Sequence, residues 1–161
     1  MAYHTKIKNK ILGISIGITY LCFGIIKFFP NVSPAEELAE NTISMLTFGL
    51  IPDQISLLVL ASWETLVGIF IILNWQKKIV LNLAIIHILF TFSPLFLFSE
   101  QIFDFKTLSV TLLGQYIFKN IIILSSLIVL RIEAIKQSSV SSKKGIRVQI
   151  SNNQLHLANK N

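Results

Sequence analysis

Four stretches of nearly unbroken apolar residues dominate the chain: Ile11 to Phe29, Ile55 to Leu73, Ile79 to Phe98 and Leu112 to Leu130. At a helical rise of about 1.5 Å per residue, each is long enough to cross the hydrocarbon of a bilayer. Hydrocarbon offers backbone groups no partner, so such runs satisfy their hydrogen bonds internally, as helices. The pattern predicts an all-α fold, a transmembrane four-helix bundle over residues 11–132. Each run also holds one ionisable side chain: Lys27, Glu64, His87 and Lys119.

Between the first two runs the polar pattern predicts a further helix. Ser33 is placed to cap it, Pro34 suits its first position, and Glu36 completes a capping box. Leu38, Ala39, Thr42, Ile43, Met45 and Leu46 then continue mostly at helical spacing opposite Glu37 and Glu40, until Gly49 and Pro52 end the pattern. This is an external amphipathic helix, either a lid across the bundle mouth or a packed connector. Trp75-Gln76-Lys77-Lys78 reads as a tight turn, and Ser99 to Thr111 as a longer external connection with Phe103 and Phe105 at the interface. Residues 133–161 read as a flexible tail: Ser138 to Lys144 form a linker, and alternation on either side of Ser151-Asn152-Asn153 signals a small hairpin.

Composition agrees with the membrane reading. The mean hydropathy is +0.68, with 53% hydrophobic and 14% charged residues, which excludes an ordinary soluble enzyme. Lys6, Lys8 and Lys10 in the basic segment 1–10, Lys77 and Lys78, and the tail carry most of the cations, whereas the first connection carries Glu36, Glu37, Glu40 and Asp53 with no Lys or Arg. The positive-inside rule therefore puts both termini in the cytoplasm, with four spans between them in a multi-pass membrane protein. The net charge of +6 is this topology signal, and no nucleic-acid partner is expected. The basic N-terminus ahead of an apolar run resembles a secretory signal, but the run is too long, lacks a cleavage site and contains Lys27. Cys22 is the sole cysteine, which excludes an internal disulfide; it reads as a small packing residue. His4 and His156 have no expected part in chemistry.

An ionisable group inside a membrane costs about 2.5–3.5 kcal/mol on insertion scales, so it normally faces the bundle interior and pairs. Gly13, Gly17 and Gly24 share one face of the first helix, suited to close approach of a neighbour, and Lys27 continues that face towards the mouth. Glu64 and His87 lie near mid-membrane, and Gln115, Lys119 and Asn120 in the outer half. Thr91 is one turn from His87, Gln115 one turn from Lys119 and Gly68 one turn from Glu64. Glu64, the only acid in the runs, is expected to neutralise Lys119 by preference, or Lys27. Such a set at one depth can bind an anionic or carbonyl-bearing head group, a quinone ring or small organic anion among them, or it can act as interhelical glue. One His and one Glu fall short of a metal-ligand set, and no covalently bound cofactor is expected.

The segments Phe23-Gly24-Ile25-Ile26-Lys27-Phe28-Phe29-Pro30, Ser33-Pro34-Ala35-Glu36, Glu64 with Gly68, His87 with Thr91, and Gly114-Gln115-Tyr116-Ile117-Phe118-Lys119-Asn120 together resemble the DoxX-like family of small bacterial membrane proteins. The resemblance runs from about Gly13 to Leu130. It implies a four-helix bundle laid out like that of vitamin K epoxide reductase, without that enzyme's cysteines. It also implies a polar pocket of Lys27, Glu64, His87, Thr91, Gln115, Lys119 and Asn120. The family takes its name from a subunit of a thiosulfate:quinone oxidoreductase, and other members resemble stress-response or assembly proteins. The expected role is a small subunit in quinone-linked or redox-stress membrane chemistry, with no catalytic residue assigned. The alternatives are an accessory subunit packed against another membrane protein or a second copy, and a small-anion transporter, for which four helices without internal repeats are a weak basis.

Overall fold

The computed structural model describes residues 2–75 and 77–158, and side chains for 7–75 and 77–140. Its elements are α1 (Ala2–Ile26), α2 (Glu36–Leu46), α3 (Asp53–Ile72), α4 (Lys77–Phe90), α5 (Pro94–Leu97), α6 (Ser99–Ile102), β1 (Phe103–Asp104), β2 (Ser109–Val110), α7 (Leu112–Phe118) and α8 (Asn120–Ala158). Four spans are long and apolar enough to cross a membrane: Ile7–Ile26, Asp53–Ile72, Lys77–Leu97 and Leu112–Val140. This is the all-α, four-span architecture that the hydropathy predicts, with α2 between spans one and two.

Glycine decides how α1 meets α3. A Cβ on Gly68 would lie 2.7 Å from the Leu21 nitrogen and 2.8 Å from the Gly17 carbonyl oxygen, and one on Gly24 would lie 2.6 Å from the Thr65 nitrogen. Lipid-facing apolar surface gives helices no reason to associate, so this backbone-to-backbone approach and the dispersion contacts it allows bind the pair. Gly13, expected on the same seam, stands apart: a Cβ there would make an ordinary 3.9 Å contact with Leu130. The second helix pair, α4 with α8, joins the first through a core that includes Tyr20, Val67, Leu81, Ala84, Ile88 and Leu127. At the end remote from α2, Arg131 Nε donates to the Asn82 side-chain oxygen, tying α8 to α4. Ile18, Leu58, Leu66, Ile86 and Ile122 point outward, as lipid-facing positions should. Cys22 is exposed on the outside instead of packing within.

Two spans are irregular. α4 ends at Phe90, and Thr91 to Ser93 turn before α5; Pro94 opens α5 and has no N–H to give the Phe90 carbonyl, while Ser93 keeps helical backbone (φ −56°, ψ −35°). The Thr91 and Ser93 hydroxyls donate to the carbonyls of Ile88 and Phe90, 2.7 Å each, so the break leaves few polar groups bare. The fourth span tightens at Lys119, between α7 and α8, where the backbone stays helical (φ −58°, ψ −26°) and the Ile122 amide bonds to the Lys119 carbonyl at 3.1 Å.

The α2 end of the bundle is built around a smaller core of Leu38, Ile102 and Ile117, which seats α2 on α6 and α7. Residues 99–111, read as a plain connection, form α6 and an antiparallel β1–β2 pair in the register Phe103 to Val110 and Asp104 to Ser109. The Asp104 carboxylate accepts from the amides of Lys106 (2.9 Å) and Thr107 (3.4 Å), and its hydrogen bonds to Thr107 and Lys106 hold its pKa below the ordinary range. Phe103 packs edge-on against Phe118, whereas Phe105 is exposed. The α2 start differs from the capping box: the helix begins at Glu36 with no side-chain cap. Glu36 instead accepts from the amide of Asn31 (2.9 Å), whose φ of 63° turns the chain back towards α2. The chain remains helical through Ser138, Ser139 and Val140, where composition predicts a linker, with both serine hydroxyls donating to the Ile135 carbonyl. The backbone of 146–157, where alternation predicts a hairpin, continues α8, and His4 and His156 lie outside the residues described with side chains.

Gly68→Ala is expected to lower the melting temperature in mild detergent by the equivalent of about 1–3 kcal/mol of overpacking. Gly13→Ala should melt like the parent; equal melting of all three proteins contradicts the close α1–α3 contact.

Candidate functional site

The α1–α3 seam fixes the centre of the bundle. Tyr20 lies between Gly17 and Gly24 on the seam face of α1, and Lys27 follows in the turn beyond the helix. Glu64 stands one turn before Gly68 on α3. Close approach of the two backbones brings Lys27 Nζ to 2.5 Å from Glu64 Oε2, with side chains only 9% and 10% exposed. Lys27 Nζ also donates to the Phe23 carbonyl, 3.3 Å away. Lys27 is thus a buried partner of Glu64 and not a residue of the mouth.

His87, on α4, completes the centre. Its Nε2 lies 3.7 Å from Glu64 Oε1, on the carboxylate oxygen that Lys27 leaves free. Its Nδ1 lies 3.4 Å from the Tyr20 hydroxyl, which donates to the Ala84 carbonyl at 3.1 Å. The imidazole therefore sits between an acid and a phenol, an arrangement able to accept, hold or pass a proton at either nitrogen. A second polar link lies where the third and fourth spans meet: Asn120 Nδ2 donates to Thr91 Oγ1 at 2.9 Å, and that hydroxyl donates onward to Ile88.

Lys119 departs from the sequence expectation. Its Nζ lies 3.4 Å from the centroid of the Phe23 ring and 4.2 Å from that of Tyr116, a cation held between two aromatic faces. Among the described residues it has no ion-pair partner; Glu64 is taken by Lys27. The reason is reach: the seam delivers Lys27 directly over Glu64, whereas Lys119 sits at the α7–α8 junction across the bundle.

All these groups open onto one cavity of about 640 Å³, within the usual range for a small-ligand site. Lys27, Glu64, His87, Thr91, Lys119 and Asn120 line it. Gln115 does not: it is exposed, because Gly114, its neighbour on α7, is the position pressed against Ile102. The α2 face carrying Leu38, Ala39, Thr42, Ile43 and Leu46 supplies a wall of mainly apolar side chains. Glu40 points away on the polar face, where partial loss of water and then repulsion from Glu36, Asp53 and Glu37 push its pKa up. Tyr20, which lines the cavity beside His87, was missed by sequence reasoning, although its place on the Gly17, Gly24 and Lys27 face signalled it. Phe23 and Tyr116 gave no comparable sign. Among the described residues no three His, Cys, Asp or Glu side chains gather to hold a metal ion.

Fold and site together define a four-span membrane protein with a polar centre opening into an apolar cavity. No family model, curated protein or solved structure matches the chain.

Lys27→Met strands a buried carboxylate, and is expected to cost about 3–5 kcal/mol in detergent unfolding. The double change Lys27→Met with Glu64→Met should restore most of that loss; a double variant as unstable as the sum of the singles contradicts the pair.

Proposed function

We propose that this protein binds an amphipathic ligand within the membrane, taking its anionic or carbonyl-bearing head group at the Lys27, Glu64, His87 and Tyr20 centre. The observation that carries this is the shared cavity: six side chains from α3, α4, α8 and the turns after α1, α4 and α7 face one space with otherwise mainly apolar walls. Polar glue alone needs direct contacts between helices and no room for a guest. The DoxX-like motifs favour a role as a small subunit in quinone-linked or redox-stress chemistry of a bacterial inner membrane, with α2 on the external side and both termini cytoplasmic. Any redox group then belongs to the ligand or to a partner, and His87 exchanges protons with the bound head group.

Native mass spectrometry of the protein released from mild detergent tests this reading. A bound non-protein amphiphile is expected on the parent chain, falling about tenfold in occupancy for His87→Leu, the loss of one good polar contact. An accessory role is indicated instead if a protein partner is retained, no amphiphile is found, and His87→Leu changes only the melting temperature.

A further inference from the structure

We infer that the ligand of this cavity is a long-chain monocarboxylic acid whose carboxylate is held by Lys119. The inference rests on the reading of the cavity as a ligand site and narrows the chemistry of its guest. The charges that face the cavity do not balance. Lys27 and Lys119 contribute two ammonium groups, and among the described residues Glu64 is the only carboxylate in the lining. Glu64 is committed to Lys27 at 2.5 Å, and its second oxygen faces His87. A neutral imidazole leaves one positive charge over, and a protonated one only adds to it.

That remaining charge is Lys119. Its contacts with Phe23 and Tyr116 orient the ammonium, but an aromatic face supplies no counter-charge and leaves N–H donors available. A cation inside a span without a counter-ion is disfavoured, and a guest that brings one negative charge removes the imbalance. One surplus charge matches a monoanion; a phosphate monoester, carrying nearly two, would need a second free cation. The rest of the molecule is specified by the walls. Leu38, Ile43 and Leu46 of α2 and Ile123 of α8 all line the space, a lining suited to an alkyl chain. The acidic residues Glu37 and Glu40 are not in the lining, so they do not oppose the bound anion.

The test compares laurate with its uncharged methyl ester, each titrated against the purified full chain in dodecyl maltoside and read by native mass spectrometry. Laurate is expected to bind the parent about tenfold more tightly than the ester, the scale of one charge-assisted hydrogen bond. Lys119→Arg should keep that preference, and Lys119→Met should abolish it while still binding the ester. Equal binding of acid and ester to the parent, or a preference unchanged in Lys119→Met, overturns the assignment of the charge and leaves the cavity as a site for a neutral amphiphile. Binding of neither compound overturns this inference, and an accompanying absence of any native amphiphile removes the ligand-site reading as well.

Discussion

The contact between the backbones of α1 and α3 is the constraint on which the rest of the structure depends. Gly17, Gly24 and Gly68 allow a separation at which added methyl groups would collide with main-chain atoms. At that separation Lys27, in the turn after α1, lies directly against Glu64, and the acid is neutralised deep in the bundle. A wider gap would leave two buried charges apart, which costs far more than the pair. Packing and electrostatics therefore act in the same direction. The seam sets the position of Glu64, Glu64 sets the surroundings of His87, and His87 meets Tyr20 on the seam itself.

The cavity follows from what α4, α7 and α8 do around this pair. Unbroken helices could pack along their whole length and fill the centre. The turn at Thr91 to Ser93 interrupts the third span on the α2 side, and the fourth span tightens at Lys119 without leaving helical backbone. The Asn120 to Thr91 hydrogen bond joins the two places. α2, anchored through Leu38 on Ile102 and Ile117, then covers the opening with an apolar face. The result is a space with a neutralised polar centre, one unmatched cation at its side and greasy walls. On the proposed reading, the unmatched cation meets the head group of the guest and the walls meet its alkyl chain.

The four spans were legible in the sequence because hydrocarbon thickness imposes one length and one polarity on any helix that crosses it. Six of the seven residues read as a pocket line the cavity, since an ionisable group in a span has few places to point other than inward. Partner choice was not legible. Helical spacing gives the face on which Lys27 or Lys119 stands, but not how closely the adjoining helices approach, and that distance decides which amine reaches Glu64. Gln115 was misplaced for a related reason: the turn from Gln115 to Lys119 is intact, with the Lys119 amide bonded to the Gln115 carbonyl, but helical spacing does not show that Gly114 and Ile117 are the α7 positions pressed inward. The capping role given to Ser33 failed because a local sequence signal competes with the chain reversal at Asn31, which turns Glu36 back onto a loop amide.

The most direct measurement is a solid-state NMR dipolar recoupling experiment in lipid bilayers, between the side-chain nitrogens of lysine and the carboxyl carbon of Glu64. Strong dephasing of the Glu64 signal that survives Lys119→Arg and vanishes in Lys27→Met is the predicted result. Dephasing that instead depends on Lys119, or that is absent from the parent protein, would contradict the Lys27–Glu64 centre and with it the arrangement of the cavity.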